Sequence, residues 1–407
     1  MKGKLQIREK MILGSLIASI GLGKWGSYIG FPGGKIFLID VFFLIGTLFS
    51  ILGAGKRFKG SGYFYFSVLV FISIQFLRDI HVPFFVAIRD LLPFIYLLAL
   101  PACSYALKNV SETTIVKSLR LAAVINLSWF LPSSLGLLKP LNIASLSQMP
   151  LFTERADQSG IAMGIGVLAW SAFPSLKLKP NYFVICLCVF AAGIGRSRAG
   201  LFTALLALLL HFFFKESTYM RLKIRERFIV ALGMTLATLG IAFAAQFSNI
   251  AGGDSSLARA GIVGDSQNSV ASGNNTSRAR LMAAKSLTNW VSVNEMQLFG
   301  AGPGREMILE SGAVAFLSGN VEVRSPHNWF LGLYSRFGVI GFIFWCTLIG
   351  QILVLGRLDN SQLQQTLRAI VLLICFCSSL GVIMESPFGA LPMAAVLALY
   401  VRRKNRL

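Results

Sequence analysis

Charge is scarce in this chain, and acid is scarcer than base. Only 14% of the 407 residues are charged against 55% hydrophobic, with 17 Asp and Glu facing 38 Lys and Arg. Soluble globular domains carry about a quarter charged residues, so that class is excluded. Histidine is rare, with three in all: His81, His211 and His327. The six cysteines (103, 186, 188, 346, 375 and 377) all lie in apolar segments. Cys186/Cys188 and Cys375/Cys377 are spaced C-x-C with no His or acid beside them, so packing is favoured over a metal or disulfide role. No Asp-x-Asp pair occurs, which leaves a metal–diphosphate site without support. No Gly-Lys-Ser/Thr completes a phosphate loop. No internal repeat is visible, which weighs against a two-fold transporter. No small-residue cleavage site follows the basic start Met1–Lys10, so the first apolar run reads as a retained helix.

What the chain does have is apolar runs of about 15–25 residues from end to end, the mark of a polytopic helical membrane protein. The 33 Phe suit lipid-facing surfaces. The expected fold is an all-α transmembrane bundle of about twelve spans. They fall near 11–30, 36–53, 63–77, 84–107, 119–138, 159–177, 181–195, 199–214, 228–247, 328–355, 369–386 and 388–401. This divides the chain into N-terminal spans (1–247), one large polar loop (248–327) and C-terminal spans (328–407). The formal charge of +21 does not point to nucleic acid, because the bases sit in short loops between apolar runs. With a cytoplasmic N-terminus, about 23 of the 38 Lys and Arg fall in short inside segments. The alternation holds at every step and predicts both termini inside and the long loop outside.

Within that loop, 250–277 is Gly/Ser/Asn-rich and reads as flexible. Residues 278–298 read as an amphipathic helix, with Leu281, Ala284, Leu287 and Trp290/Val291 at helical spacing. Arg196 and Arg198, in Arg196-Ser197-Arg198-Ala199-Gly200, either snorkel to anchor a helix or bind phosphate oxygens. Ser277-Arg278-Ala279-Arg280 is expected to open the loop helix, where arginines strengthen an anion site; the plain alternative is a solvated charged face. Leu298-Phe299-Gly300-Ala301-Gly302-Pro303-Gly304 is a turn whose backbone is free to approach a ligand, or simply a helix stop.

The most informative stretch is Ser325-Pro326-His327-Asn328-Trp329-Phe330, with Gly338-Val339-Ile340-Gly341 after it. It places a titratable His where a polar loop re-enters an apolar helix. Ionisable groups near a membrane are costly, so they are functional candidates. A neutral imidazole takes a proton from a hydroxyl near physiological pH; the plain reading is a hydrogen-bonded interfacial His. Asp40, Asp79, Asp90, Glu154, Asp157 and Glu385 are the rival bases.

Taken in order, these pieces resemble the O-antigen ligase/polymerase superfamily of bacterial inner-membrane proteins. The similarity covers about 196–341, with weaker support over 155–166. It rests on Ser197-Arg198-Ala199-Gly200, Ser277-Arg278, Leu298–Gly304, and His327-Asn328-Trp329-Phe330-Leu331 with Gly338–Gly341. The resemblance implies metal-independent transfer of a glycan from an undecaprenyl-diphosphate carrier to a sugar hydroxyl on the periplasmic side, with no cofactor. It implies diphosphate binding by Arg198 and by Arg278 or Arg280, with His327 as base. Arg196, Asn328, Gly302 and Gly304 would support them. Two departures are visible: the position before Phe337, often acidic in the family, is Arg336 here, and the loop helix carries two close arginines, Arg278 and Arg280.

A repeat-unit polymerase is favoured slightly over a ligase that moves the finished glycan to lipid A-core. A lipid-linked sugar flippase or transporter is the reading of another class. The implied partners are the lipid-linked donor, the glycan or lipid A-core acceptor, membrane lipids, and a chain-length regulator or flippase.

Overall fold

The computed structural model describes residues 5–30, 37–54, 62–143, 150–213, 267–317, 326–356 and 361–402, apart from 80, 83, 154, 155, 172, 196, 327, 382, 385 and 386. The expected ninth span (228–247), residues 250–266 of the stretch expected to be flexible, and His327, Arg196, Glu154 and Glu385 therefore lie outside the described residues.

Regular structure among the described residues is helical, besides three isolated bridges. The first half holds α1 (Ile7–Gly21), α2 (Gly23–Ser27), α3 (Leu38–Ala54), α4 (Gly62–Arg78), α5 (Phe84–Leu98), α6 (Leu100–Leu107) and α7 (Glu112–Ser134). Then come α8 (Ala156–Ala169), α9 (Tyr182–Ile194) and α10 (Arg198–Phe213). The loop contributes α11 (Gln267–Val293), α12 (Met307–Glu310) and α13 (Val314–Leu317). The last three are α14 (Trp329–Gly356), α15 (Gln362–Leu380) and α16 (Pro387–Val401).

Local chemistry sets several boundaries. Ser111 accepts a hydrogen bond from Thr114 N at 3.1 Å and caps α7. That helix therefore begins at Glu112, seven residues before the apolar run that announced it near 119. Ser361 does the same for α15 through Gln364 N at 3.3 Å, so this helix starts at Gln362 rather than 369. The expected span 84–107 is two helices, α5 and α6, that meet at Ala99, with Pro93 inside α5 and Pro101 in the first turn of α6.

Among the described residues, four helical stretches are long and apolar enough to cross a membrane by length and composition: Val86–Leu107, Glu112–Ser134, Trp329–Val354 and Gln362–Leu380. Six further apolar helices are shorter. Apolar side chains stay exposed on outer helices, among them Leu44, Leu48 and Leu52 of α3 and Phe66, Ile74 and Leu77 of α4. Such continuous apolar surface is what lipid covers. At the centre lies α16, apolar all round, with every residue from Ala390 to Val401 buried. It packs against α1, α5, α6, α14 and α15. A second tight unit is α8 with α7, α9 and α10. There the helices touch backbone to backbone: a Cβ on Gly160 would lie 2.1 Å from Gly200 Cα.

The basic connections that charge alternation groups on one side also meet at one end of the bundle. Arg402 donates to Val110 O at 3.1 Å, and Arg120 donates to Ser171 O and Lys179 O, each at 3.1 Å. Arg8 lies over the Tyr105 ring at 5.6 Å.

Candidate functional site

The loop subdomain starts from α11, which differs from its expectation. It spans Gln267–Val293, not 278–298, so Ser277 and Arg278 lie about three turns into it and do not open it. The helix-terminus argument for an anion site at Arg278 is thereby removed. Its buried row is Ala283, Leu287 and Val291, while Leu281 is 56% exposed. The small Ala283 marks the packed face but carries little hydrophobic signal in sequence. Ala283 and Leu287 join Met307, Ile308 and Ala313 in a small core of their own, against which Leu331 of α14 packs. Arg280, three residues before Ala283, is exposed. Asn328, three residues before Leu331, caps α14 by accepting from Leu331 N at 3.1 Å. This core thus joins the arginine-bearing helix to the helix that begins just after His327.

The second junction lies deeper along α14. Gly338 has φ 67° and ψ −170°, a conformation that interrupts the helix. A break of this kind orphans backbone groups on both sides. The Gly-rich turn takes them up. Val339 N donates to Gln297 O at 2.8 Å and Ile340 N to Leu298 O at 3.2 Å. In return Ala301 N donates to Ser335 O at 2.7 Å and Gly302 N to Arg336 O at 2.8 Å. The approach is so close that a Cβ on Gly338 would sit 2.1 Å from Leu298 O, and one on Gly300 2.3 Å from the Arg336 carbonyl carbon. Gly302 and Gly304 are buried, and a Cβ on either would meet Asp79 or Val82. The turn's close approaches are therefore to the α4–α5 connection and to α14.

A charged cluster closes this junction. Arg336 Nε lies 3.2 Å from Asp90 Oδ2, with both side chains 1% exposed. Asp90 Oδ2 also accepts from Gly304 N at 2.8 Å, and Arg89 stands 3.6 Å from its other oxygen. Arg78 donates to Phe299 O at 2.5 Å and to Arg336 O at 3.4 Å, and pairs with Asp79 at 3.4 Å. Burial raises the Asp79 carboxyl above its ordinary value, against the pull of Arg78 and Arg305. Arg305 pairs with Glu310 at 3.0 Å. An acid of α5, Asp90, thus faces Arg336. Sequence reasoning saw Asp90 only as a rival base and Arg336 only as a departure. Opposite charges within two apolar helices, Arg89-Asp90 in one and Arg336 in the other, were the available signal that they pair.

The remaining site residues are spread over several elements. Arg198 is the first residue of α10, where Ser197 Oγ accepts from Gly200 N at 3.2 Å. The side chains of Arg198, Arg278 and Asp157 lie outside the described residues, as do Arg196 and His327 entirely. Asp40 accepts a hydrogen bond from the Tyr96 hydroxyl. His81 is exposed between α4 and α5, and His211 Nδ1 lies 2.7 Å from Ser171 Oγ at the opposite end of the bundle. Among the described residues no group of three or more His, Cys, Asp or Glu is placed to hold a metal ion, and all six cysteines are free thiols. No protein-family model matches the chain, and no curated protein matches it.

Proposed function

We propose that this chain is a membrane-embedded glycan transferase that uses an undecaprenyl-diphosphate-linked donor on the periplasmic face, with repeat-unit polymerisation favoured over ligation to lipid A-core. One observation carries the reading: the Gly-rich turn of the loop and the helix that follows His327-Asn328 form a single hydrogen-bonded junction at Gly338. Separate pieces of the motif order, weak one by one, thereby belong to one unit beside the loop helix that carries Arg278 and Arg280.

In this reading His327 takes the proton of the acceptor hydroxyl as its oxygen bonds to the donor's anomeric carbon. The bond from that carbon to the diphosphate oxygen breaks, and the electron pair leaves with the carrier. Arg198 with Arg278 or Arg280 stabilises the developing negative charge, which needs no metal. The buried Asp90–Arg336 pair holds the turn in place and is a positioning element.

The test uses purified full-length chain in lipid nanodiscs with a lipid-linked oligosaccharide, with products separated by size. Longer lipid-linked glycans should form and should persist in EDTA. His327→Gln should slow transfer by about 10²–10⁴-fold, the usual share of general base catalysis, with donor binding retained. Transfer at the normal rate by His327→Gln would move the base to another residue. Transport of the donor without any new glycosidic bond would instead favour a flippase.

A further inference from the structure

The tip of the Gly-rich turn is apolar and outward-facing: Leu298 is 59% exposed and Phe299 55%. Its backbone is nevertheless taken up by the protein. The carbonyls of Gln297, Leu298 and Phe299 accept from Val339 N, Ile340 N and Arg78, and Gly300 N donates to Met296 O at 2.7 Å. A turn in water has no need of this, because water satisfies its carbonyls; irregular backbone in contact with lipid does.

The depth of the attachment points the same way. The apolar stretch Trp329–Val354 has 26 residues, a length of about 39 Å at about 1.5 Å per residue, against a hydrocarbon core of about 30 Å. Even if all the excess projects on the loop's side, Val339 and Ile340 fall about 6 Å or more inside the hydrocarbon. These two residues, which hold the turn, are themselves 38% and 43% exposed, and Ile343 follows at 56%. On the neighbouring α4 the outward row Phe66, Val70, Ile74 and Leu77 runs up to Arg78, which binds the Phe299 carbonyl. The apolar tip therefore continues an apolar helix surface and does not stand alone.

We infer that Leu298 and Phe299 form a membrane-embedded wedge, a re-entrant tip of the polar loop whose partner is the acyl chains of the leaflet on the loop's side. The inference rests on α14 spanning the membrane and not on the glycan-transfer reading. It explains why the turn docks at a broken point within α14 rather than at its end. It also explains why the charges beneath it, Asp90 and Arg336, are buried and paired, since an unpaired charge at that depth is costly.

The test needs no altered residue in its first arm. The wild-type chain in vesicles of phosphatidylethanolamine and phosphatidylglycerol, doped with a phospholipid carrying a diazirine on its acyl chain, is irradiated and digested. Adducts are expected on the peptide containing Leu298–Phe299 as well as on that containing Ile343. Adducts at Ile343 without any at 298–299 would overturn the wedge. In a second arm, a variant lacking the native cysteines carries Leu298→Cys, Phe299→Cys or, as a water-exposed control, Asn289→Cys. A charged maleimide added on the loop's side should react at 298 and 299 about tenfold or more slowly than at 289, because it does not enter hydrocarbon. Equal rates in the membrane would place the turn in water. Neither readout depends on glycan transfer, so failure of the wedge and failure of the proposed function are separable.

Discussion

At the scale of single residues, the buried pair of Asp90 and Arg336 is the most consequential feature of the junction. An ion pair in a low-dielectric site adds little over a well-packed apolar pair, but removing one partner strands the other. Asp90→Leu or Arg336→Met alone should therefore destabilise the folded chain by about 3–5 kcal/mol, whereas the two changes together should recover much of the loss. Thermal unfolding in detergent of the two single variants and the double variant measures this. Additive losses would mean that the two charges do not act as a pair. Sequence alone displayed both charges as oddities in apolar runs but not their partnership, because nothing local links α5 to α14. The same holds for Gly338: its place in Gly338–Gly341 was readable, while its positive φ, and the hydrogen bonds that Val339 N and Ile340 N beside it donate to Gln297 and Leu298, depend on a segment from the loop. Asn328 was legible as a polar residue before an apolar helix, and it serves as that helix's cap.

At the scale of elements, Gly200 illustrates how a motif residue acquires a packing role. It stands in the Ser-Arg-Ala-Gly element, read either as a helix anchor or as phosphate-binding, and its Cα and carbonyl face Gly160 of α8 at contact distance. Gly160→Ala must push α8 and α10 apart, and overpacking of this kind costs about 1–3 kcal/mol. Gly14 of α1 and Gly350 of α14 have open space where a Cβ would go. Alanine there should be neutral or stabilising by up to about 1 kcal/mol, through helix propensity. The fraction of monodisperse protein left after a heat step, read by size-exclusion chromatography, should fall for Gly160→Ala and hold for Gly14→Ala and Gly350→Ala. Equal retention in all three would show that the α8–α10 crossing relaxes freely. Element positions were largely legible from apolar runs, since a run marks the buried or lipid-facing part of a helix. Element starts were not, because polar first turns such as Glu112–Thr114 and Gln362–Gln365 are set by serine caps. The start of α11 was the boundary furthest from its expectation, because its first three turns, through Asn274-Asn275-Thr276, carry no apolar periodicity.

At the scale of the whole molecule, charge asymmetry and three-dimensional contact bear independently on sidedness. Alternation of Lys and Arg predicts that the 78–83 connection and the long loop share one side of the membrane, opposite to Lys108, Arg120, Lys179 and Arg402. In the fold, Arg78 binds Phe299, Asp79 abuts Gly302 and Asp90 binds Gly304, while Arg402 reaches Val110 and Arg120 reaches Lys179. The two groups form opposite ends of a bundle threaded by α16. Absolute orientation then depends on one sign. A phosphatase active only outside the cytoplasm should be active when fused near Ser277 and silent when fused near Arg221, where the basic stretch from Lys215 to Arg227 is expected inside. A third fusion at His81 adds an internal check, because it must agree with the one at Ser277 if the loop's turn docks onto α4 and α5. Reversal of all three signals would invert the chain and remove the proposed periplasmic site with it. Disagreement between His81 and Ser277 would be more damaging still, since no orientation of the bundle places Asp79 and Gly302 on opposite sides of one membrane.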